Sequence, residues 1–175
     1  MPEALYLDTS AVLRAALETG STPEVEQRIR RAQLLVTSRL SLVESARAIL
    51  RLRLTSAAPE RRLSDAEREI AAVWARCNLW ELTPAVCELA CHVAPGKPLR
   101  ALDAVHLATF VLARRRIDGL EMLTVDQRLR DAGRRSVVWV APSRPTPADG
   151  GTHETNHAIA RVAAQRSITR GARLL

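Results

Sequence analysis

Short apolar segments alternate with helical segments along the first 141 residues of this chain, and no hairpin signal joins one apolar segment to the next. This alternation constrains the fold strongly, because parallel strands need long crossover connections whereas antiparallel strands need only tight turns. The chain is therefore predicted to be an α/β protein with a mainly parallel central sheet flanked by helices. The predicted strands cover residues 4–7, 34–37, 79–82, 120–124 and 137–140.

Capping residues predict where several of the helices begin. Thr22-Pro23 and Thr83-Pro84 each place a threonine at the cap and a proline at the first helical position, where a missing N–H costs nothing. Ser64 and Glu67 have the spacing of a capping box and predict another helix start at Ser64. Residues 99–114 are apolar on nearly all sides, so the helix predicted there should be buried.

The character of the sequence changes after Val140. Three prolines between residues 142 and 147 precede Gly150-Gly151, a composition that is typical of a linker. A basic segment with a weak apolar face then continues to Leu175. We therefore predict one globular domain over residues 1–141, followed over residues 142–175 by a Pro/Gly linker and a basic C-terminal tail to which the sequence assigns no role.

The charge of the chain is basic and is carried almost entirely by arginine. There are 26 Lys and Arg residues against 19 Asp and Glu residues, and Lys97 is the single lysine. Arginine suits phosphate because its planar guanidinium donates two hydrogen bonds at once. The net charge of +7 favours a nucleic-acid partner, although a compositional habit of the source genome explains it equally well.

Targeting features are missing from the sequence. The N-terminus has neither the basic start nor the apolar run of a signal peptide, and the apolar stretch over residues 104–113 is too short to span a bilayer. The three cysteines are an odd number and form no paired framework. The sequence therefore predicts a cytoplasmic protein without membrane association.

Four carboxylates stand out from the other acidic residues because they follow a strand or lie among apolar neighbours: Asp8, Glu44, Asp103 and Asp126. Three of them come shortly after strands, and the carboxyl ends of parallel strands meet at one edge of a sheet. Asp103 would face the same edge if its helix runs antiparallel to the strands. Carboxylates that converge repel one another unless a cation lies between them, and oxygen ligands suit Mg²⁺ or Mn²⁺.

Each of these acids also has a purely structural interpretation. Asp8 and Asp126 could cap helices, and Glu44 could lie on a solvated helix face. Asp103 is harder to explain in this way, because an acid in so apolar a helix is costly without a partner. His106, one turn after Asp103, is interpreted as a packed core residue in preference to a site residue.

Four stretches of the sequence resemble the motifs of the PIN-domain nucleases, and most closely those of the VapC toxins of bacterial toxin–antitoxin pairs. LYLDTSA (residues 5–11) is similar to the first acidic motif, and residues 37–44 are similar to the second. LDAVHLAT (residues 102–109) is similar to the third and is the most specific stretch. LTVDQRL (residues 123–129) resembles the fourth. The resemblance covers residues 1 to about 141 and leaves the tail unexplained.

This resemblance implies a PIN fold, RNA cleavage that depends on Mg²⁺ or Mn²⁺, a homodimer, and a cognate antitoxin that blocks the site. It implies that Asp8 and Asp103 bind the metal and that Glu44 and Asp126 complete the catalytic cluster. It also implies supporting hydroxyl groups, for which the candidates are Thr9, Ser10 and Thr124. Arg100 lies near the expected site and is our candidate for contact with the RNA.

Two other functions remain as alternatives. One is a free-standing PIN-domain nuclease of RNA processing, which has no antitoxin. The other is a phosphoryl-accepting α/β domain in which Asp8 is the nucleophile. A receiver domain would need an earlier acidic pair and a lysine after a late strand, and a haloacid-dehalogenase-type site would need an Asp where this chain has Ser10. A PIN fold that has lost activity is disfavoured because all four acids are present.

Overall fold

Short apolar segments form the strands, and longer amphipathic segments form the helices between them. The computed structural model describes residues 3–18, 20 and 22–135. The strands are β1 (Ala4–Leu7), β2 (Leu34–Ser38), β3 (Cys77–Trp80) and β4 (Glu121–Leu123). The helices are α1 (Thr9–Leu17), α2 (Pro23–Arg31), α3 (Leu40–Thr55), α4 (Glu60–Ala75), α5 (Pro84–Ala90), α6 (Ala101–Arg114) and α7 (Gln127–Arg135).

The four strands form one parallel sheet in the order β3-β2-β1-β4. Leu5, in the central strand β1, lies between Leu35 of β2 and Glu121 of β4. The predicted α/β architecture with a parallel sheet is therefore confirmed. The chain builds β2 and β3 on one side of β1 and then returns to place β4 on the other side. Such a reversal opens a crevice at the carboxyl end of the central strand, where α/β proteins bind ligands.

Both faces of β1 are buried, because helices cover the sheet on each side. Successive strand residues point to opposite faces, so Leu5 and Leu7 belong to one core and Tyr6 to the other. The first core takes its main side chains from β1, β2 and helices α1 to α4: Leu5, Leu7, Val12, Ile29, Leu35, Ile49, Ile70 and Trp74. The second core involves α6 and α7 and contains Tyr6, Val36, Leu107, Phe110, Leu120, Leu129 and Ala132.

Some predicted boundaries differ from those in the structure. The third strand begins at Cys77 instead of residue 79, because its register is set by pairing with β2. Helix α4 begins at Glu60 with Pro59 as its N-cap, so the capping box predicted at Ser64 is wrong. Ser64 lies one turn inside the helix and donates a hydrogen bond to the Glu60 carboxylate (2.9 Å). The helix begins one turn earlier than predicted because Pro59 fixes the backbone dihedral φ at the helix start.

The two threonine caps predicted from the sequence differ in the structure. Thr83 caps α5 as expected, whereas Thr22 begins α2 without a side-chain hydrogen bond. Helix α6 is buried from His106 to Phe110, but its first two residues, Ala101 and Leu102, are exposed. The strand predicted over residues 137–140 and the domain boundary at residue 141 lie outside the described residues. Among the helices of the described part, none combines the length and the hydrophobicity needed to cross a membrane.

Candidate active site

Asp8 is the first residue after β1 and lies at the crevice beside β4. Its side chain is almost fully buried, with the residue 5% exposed. One carboxylate oxygen, Oδ2, accepts hydrogen bonds from the backbone N–H of Ser10 (3.2 Å), from the Ser10 hydroxyl and from Thr124 Oγ1 (2.8 Å). Asp8 therefore caps α1, as its structural interpretation proposed, and it is also held in place by Thr124, the residue that follows β4.

Thr124 connects the end of β4 to Asp8. It follows the last residue of the strand and is buried. Besides donating to Asp8, its hydroxyl oxygen accepts a hydrogen bond from the backbone N–H of Asp126 (3.1 Å). The guanidinium of Arg130 donates to the Thr124 carbonyl (2.7 Å), which fixes this turn from the side of α7. The hydroxyl thus links two of the predicted acids, Asp8 and Asp126.

Glu44 lies in the second turn of α3, near the end of β2. The start of α3 is held there because Thr37 of β2 donates to the carbonyl of Leu7 (2.7 Å) and also contacts the Ser41 hydroxyl (2.7 Å). The Glu44 oxygen Oε2 accepts hydrogen bonds from Thr9 Oγ1 (2.5 Å) and from His106 Nε2 (2.7 Å). The carboxylate is therefore bound to residues of α1 and α6.

His106 is a site residue that the sequence analysis assigned to the core. It is buried, as expected, but its Nε2 atom binds Glu44 and lies 3.9 Å from Asp8 Oδ1. Its Nδ1 atom lies 3.0 Å from the Tyr6 hydroxyl. The signal that could have revealed this role is the spacing from Asp103, because residues three apart share one face of a helix.

Asp103 and Asp126 are less closely joined to the other acids than Asp8 and Glu44 are. Asp103 is in the first turn of α6, and its Oδ2 atom accepts a hydrogen bond from the backbone N–H of Arg100 (3.4 Å). Asp126 Oδ1 accepts hydrogen bonds from the N–H groups of Arg128 (2.7 Å) and Leu129 (3.2 Å) and so caps α7. Within the described residues, no hydrogen bond or ion pair joins either acid directly to Asp8.

Comparison with known proteins identifies the family. The model of the PIN domain family matches residues 5–135, a span that includes all four acids. The chain belongs to the PIN-domain family. Among its relatives, Ribonuclease VapC46 of Mycobacterium tuberculosis is 30% identical over 141 residues, covering 80% of this chain and 98% of the relative. Ribonuclease VapC49 of the same species is 31% identical over 144 residues, covering 82% and 98%.

A solved structure supports the same fold. The crystal structure of PAE2754 from Pyrobaculum aerophilum superposes on this PIN domain with a TM-score of 0.52 at 20% sequence identity. The match covers 74% of this chain and 79% of the other. At this identity the likeness establishes the shared fold, which agrees with the strand order and the parallel pairing described above.

In each of the four acids of this PIN domain, the two carboxylate oxygens differ in the hydrogen bonds that they accept. In each, one oxygen accepts every hydrogen bond that the described residues donate to that carboxylate, and the other accepts none. Carboxylate oxygens are the kind of ligand that a hard divalent cation prefers. As placed in the structure, however, no three His, Cys, Asp or Glu side chains of the described residues form a group that could hold a metal ion.

The environment of Glu44 changes its acidity. Partial burial on its own would raise the pKa of Glu44, but the hydrogen bonds from His106 and Thr9 outweigh burial and lower that pKa below its ordinary value. Glu44 therefore remains a carboxylate to more acidic pH than a free glutamate. At Tyr6 the effect is opposite, because burial and the nearby Asp8 charge raise the pKa of its hydroxyl well above the usual value.

We expect the lowered pKa of Glu44 to make it contribute to acid unfolding. Its contribution to the free energy of unfolding is complete above its unfolded-state pKa of about 4.3 and is lost as pH falls through the lower folded-state pKa. Glu44→Gln cannot take up this proton, so its stability should fall less steeply below about pH 4. Urea midpoints measured between about pH 3 and pH 6 test this, with exposed Glu88→Gln as the matched control. Equal slopes for the parent and Glu44→Gln would contradict the assignment.

Proposed function

We propose that this PIN domain is an endoribonuclease that depends on Mg²⁺ or Mn²⁺ and serves as the toxin of a toxin–antitoxin pair. The observation that supports the proposal is that each of the four acids keeps one oxygen free of hydrogen bonds from the described residues. The relatives named as VapC ribonucleases support the choice of RNA as substrate.

Asp8 and Asp103 would hold the metal ion, and Glu44 and Asp126 would complete the acidic cluster. When bound, such an ion supplies an activated water and stabilises charge on the phosphate during in-line displacement. The chain's own hydroxyl groups orient the acids. Ser10 and Thr124 occupy one oxygen of Asp8, and Thr9 does the same for Glu44, so that the second oxygen of each remains available.

Arg100 is the proposed contact for the RNA backbone. It is exposed and precedes the first residue of α6, three residues before Asp103. A guanidinium in this position can donate two hydrogen bonds to a phosphate that enters the acidic cluster. The basic net charge of the chain would favour the approach of RNA to a site whose own side chains are acidic.

A cognate antitoxin and a second copy of this chain are the proposed protein partners. The antitoxin follows from the VapC-type relatives. Helix α3 exposes apolar side chains that a partner could cover, with Val43 58% and Leu54 78% exposed. A small adjacent gene whose product has a DNA-binding N-terminus would support the toxin role. Its absence would favour the free-standing RNA-processing nuclease.

The phosphoryl-accepting alternative receives less support from the geometry. The hydrogen bonds of Asp8 do not separate the two functions, because Oδ2 accepts all three and Oδ1 accepts none from the described residues. The single lysine of the chain, Lys97, is exposed in the loop between α5 and α6. A receiver-type site would need a lysine beside the reactive aspartate.

We expect the purified protein to cleave a mixture of transfer and ribosomal RNA when Mn²⁺ or Mg²⁺ is present. Cleavage should stop in excess EDTA and return when the metal ion is restored, because carboxylates alone activate water poorly for phosphodiester hydrolysis. Gel electrophoresis of the RNA provides the measurement. Undiminished cleavage in excess chelator would overturn the metal-dependent mechanism.

A further inference from the structure

A chain of hydrogen bonds runs from the core of the domain to the acidic site. The Tyr6 hydroxyl lies 3.0 Å from His106 Nδ1, and His106 Nε2 lies 2.7 Å from Glu44 Oε2. The three residues come from β1, α6 and α3. None of the four sequence motifs assigns a function to the tyrosine or the histidine, so this connection needs its own explanation.

The Glu44 carboxylate, at one end of this chain of hydrogen bonds, determines which nitrogen of His106 carries a proton. A carboxylate can only accept hydrogen bonds, so the Nε2 atom of His106 carries the proton that is donated to Glu44. In a neutral imidazole the Nδ1 atom is then an acceptor, and the Tyr6 hydroxyl donates to it. Thr9 lies 3.5 Å from Nε2, but its single hydroxyl proton is donated to Glu44. The partners therefore select one tautomer of His106.

Packing keeps this arrangement in one orientation. Tyr6 is fully buried, so its hydroxyl is shielded from solvent and its partners are His106, the Thr109 side chain and the Ser38 backbone. Its ring meets the rings of His106 and Phe110 edge-on, at centroid distances of 6.2 and 5.8 Å. Because His106 is 1% exposed, its imidazole has little room to rotate away from Glu44.

We propose that His106 is a positioning residue for Glu44 and that Tyr6 fixes the imidazole tautomer that this role requires. His106 and Thr9 together hold Oε2 of Glu44, which leaves Oε1 for the reaction. The inference rests on the proposed nuclease function, because Glu44 must take part in catalysis for its position to matter. Residues that orient a site ligand typically affect activity by about 10- to 100-fold when replaced.

Two substitutions at one position separate positioning from packing. In His106→Gln the amide nitrogen lies close to the former Nε2 position and can still donate to Glu44, whereas in His106→Asn it lies nearer the former Nδ1 position. We expect His106→Gln to keep kcat within a few fold of the parent and His106→Asn to lower kcat by roughly 100-fold. KM for the RNA should change little in both. Tyr6→Phe, which removes only the hydroxyl, should lower kcat by roughly 10-fold.

Nitrogen NMR of the imidazole tests the tautomer without any cleavage assay. With ¹⁵N-labelled histidine, at a pH where histidine is neutral, the parent should show Nε2 protonated and Nδ1 unprotonated for His106. The His106→Gln spectrum identifies the resonance by its loss. Tyr6→Phe should shift the Nδ1 resonance towards that of a free acceptor or a mixed tautomer.

The outcomes separate this inference from the nuclease proposal. Equal kcat losses in folded His106→Gln and His106→Asn would mean that the histidine acts only by packing, and a parent His106 protonated at Nδ1 would overturn the role of Tyr6. If His106→Asn does not fold, the kcat of Tyr6→Phe tests the proposal in its place. A kcat of Tyr6→Phe equal to that of the parent overturns the proposal. If the parent cleaves no RNA, catalytic positioning fails with the nuclease proposal, while the NMR spectrum still tests the hydrogen-bonded chain.

Discussion

Asp103→Asn should lower metal-dependent RNA cleavage by about 1,000-fold or more while leaving the metal-free protein as stable as the parent or more stable. The side chain keeps nearly the same shape and loses one negative charge from the proposed site, to which Asp8 and Glu44 also belong. Its described hydrogen bond, from the Arg100 backbone, is long at 3.4 Å, so little structural stabilisation is lost. Removing a like charge from a partly desolvated site favours the folded protein.

Thermal melts with and without Mn²⁺ measure the second part of this prediction. The metal should raise the Tm of the parent by mass action, because it binds the folded site and hardly binds the unfolded chain. Asp103→Asn should show much less of this increase. Asp118→Asn is the matched control, because Asp118 is exposed and lies before β4, at the opposite edge of the sheet. It should keep both cleavage and the increase in Tm.

A structural role for Asp103 predicts the reverse. The Asn variant would then lose about 1 kcal/mol or more from a broken hydrogen bond to a charged group. A clearly destabilised variant whose metal-induced increase in Tm equals that of the parent would show that Asp103 is not a metal ligand. The acidic site would then have to be built from Asp8, Glu44 and Asp126 alone.

Leu107→Ala should lower the free energy of unfolding by about 2–5 kcal/mol, because it creates a cavity in the core between α6 and the sheet. Leu107 is fully buried and packs in the cluster that contains Tyr6 and Val36. Leu102→Ala on the same helix provides the matched control, because Leu102 is 48% exposed and its loss should cost about 0.5 kcal/mol or less. Urea unfolding of both variants measures the difference.

This comparison also tests how α6 presents its site residues. His106 is adjacent to Leu107, and Asp103 lies one turn earlier on the same helix. The rotation of α6 that buries Leu107 therefore also determines where these two side chains lie. A larger loss of stability in Leu102→Ala than in Leu107→Ala would mean that the helix is rotated differently and that His106 does not meet Glu44.

Local sequence patterns predicted the positions of strands well where a few adjacent residues carry the whole apolar pattern. The apolar run that ends at Asp8 is buried on both faces, and its length and composition are sufficient to indicate an interior strand. Local patterns failed where two signals competed. Ser64 and Glu67 form a plausible capping pair, but Pro59 starts α4 earlier. The limits of β3 depended on its pairing with β2, which no short window of sequence contains.

The sequence by itself determined that Asp8, Glu44 and Asp126 come shortly after strands of a parallel sheet, because the end of each strand and the parallel direction follow from local apolar runs and their alternation with helices. Only the tertiary structure decided which side chains contact one another. His106 binds Glu44 and Tyr6, which are 62 and 100 positions away along the chain. Such contacts depend on strand register and helix rotation, which are set by packing of the whole core and cannot be inferred from the residues next to His106.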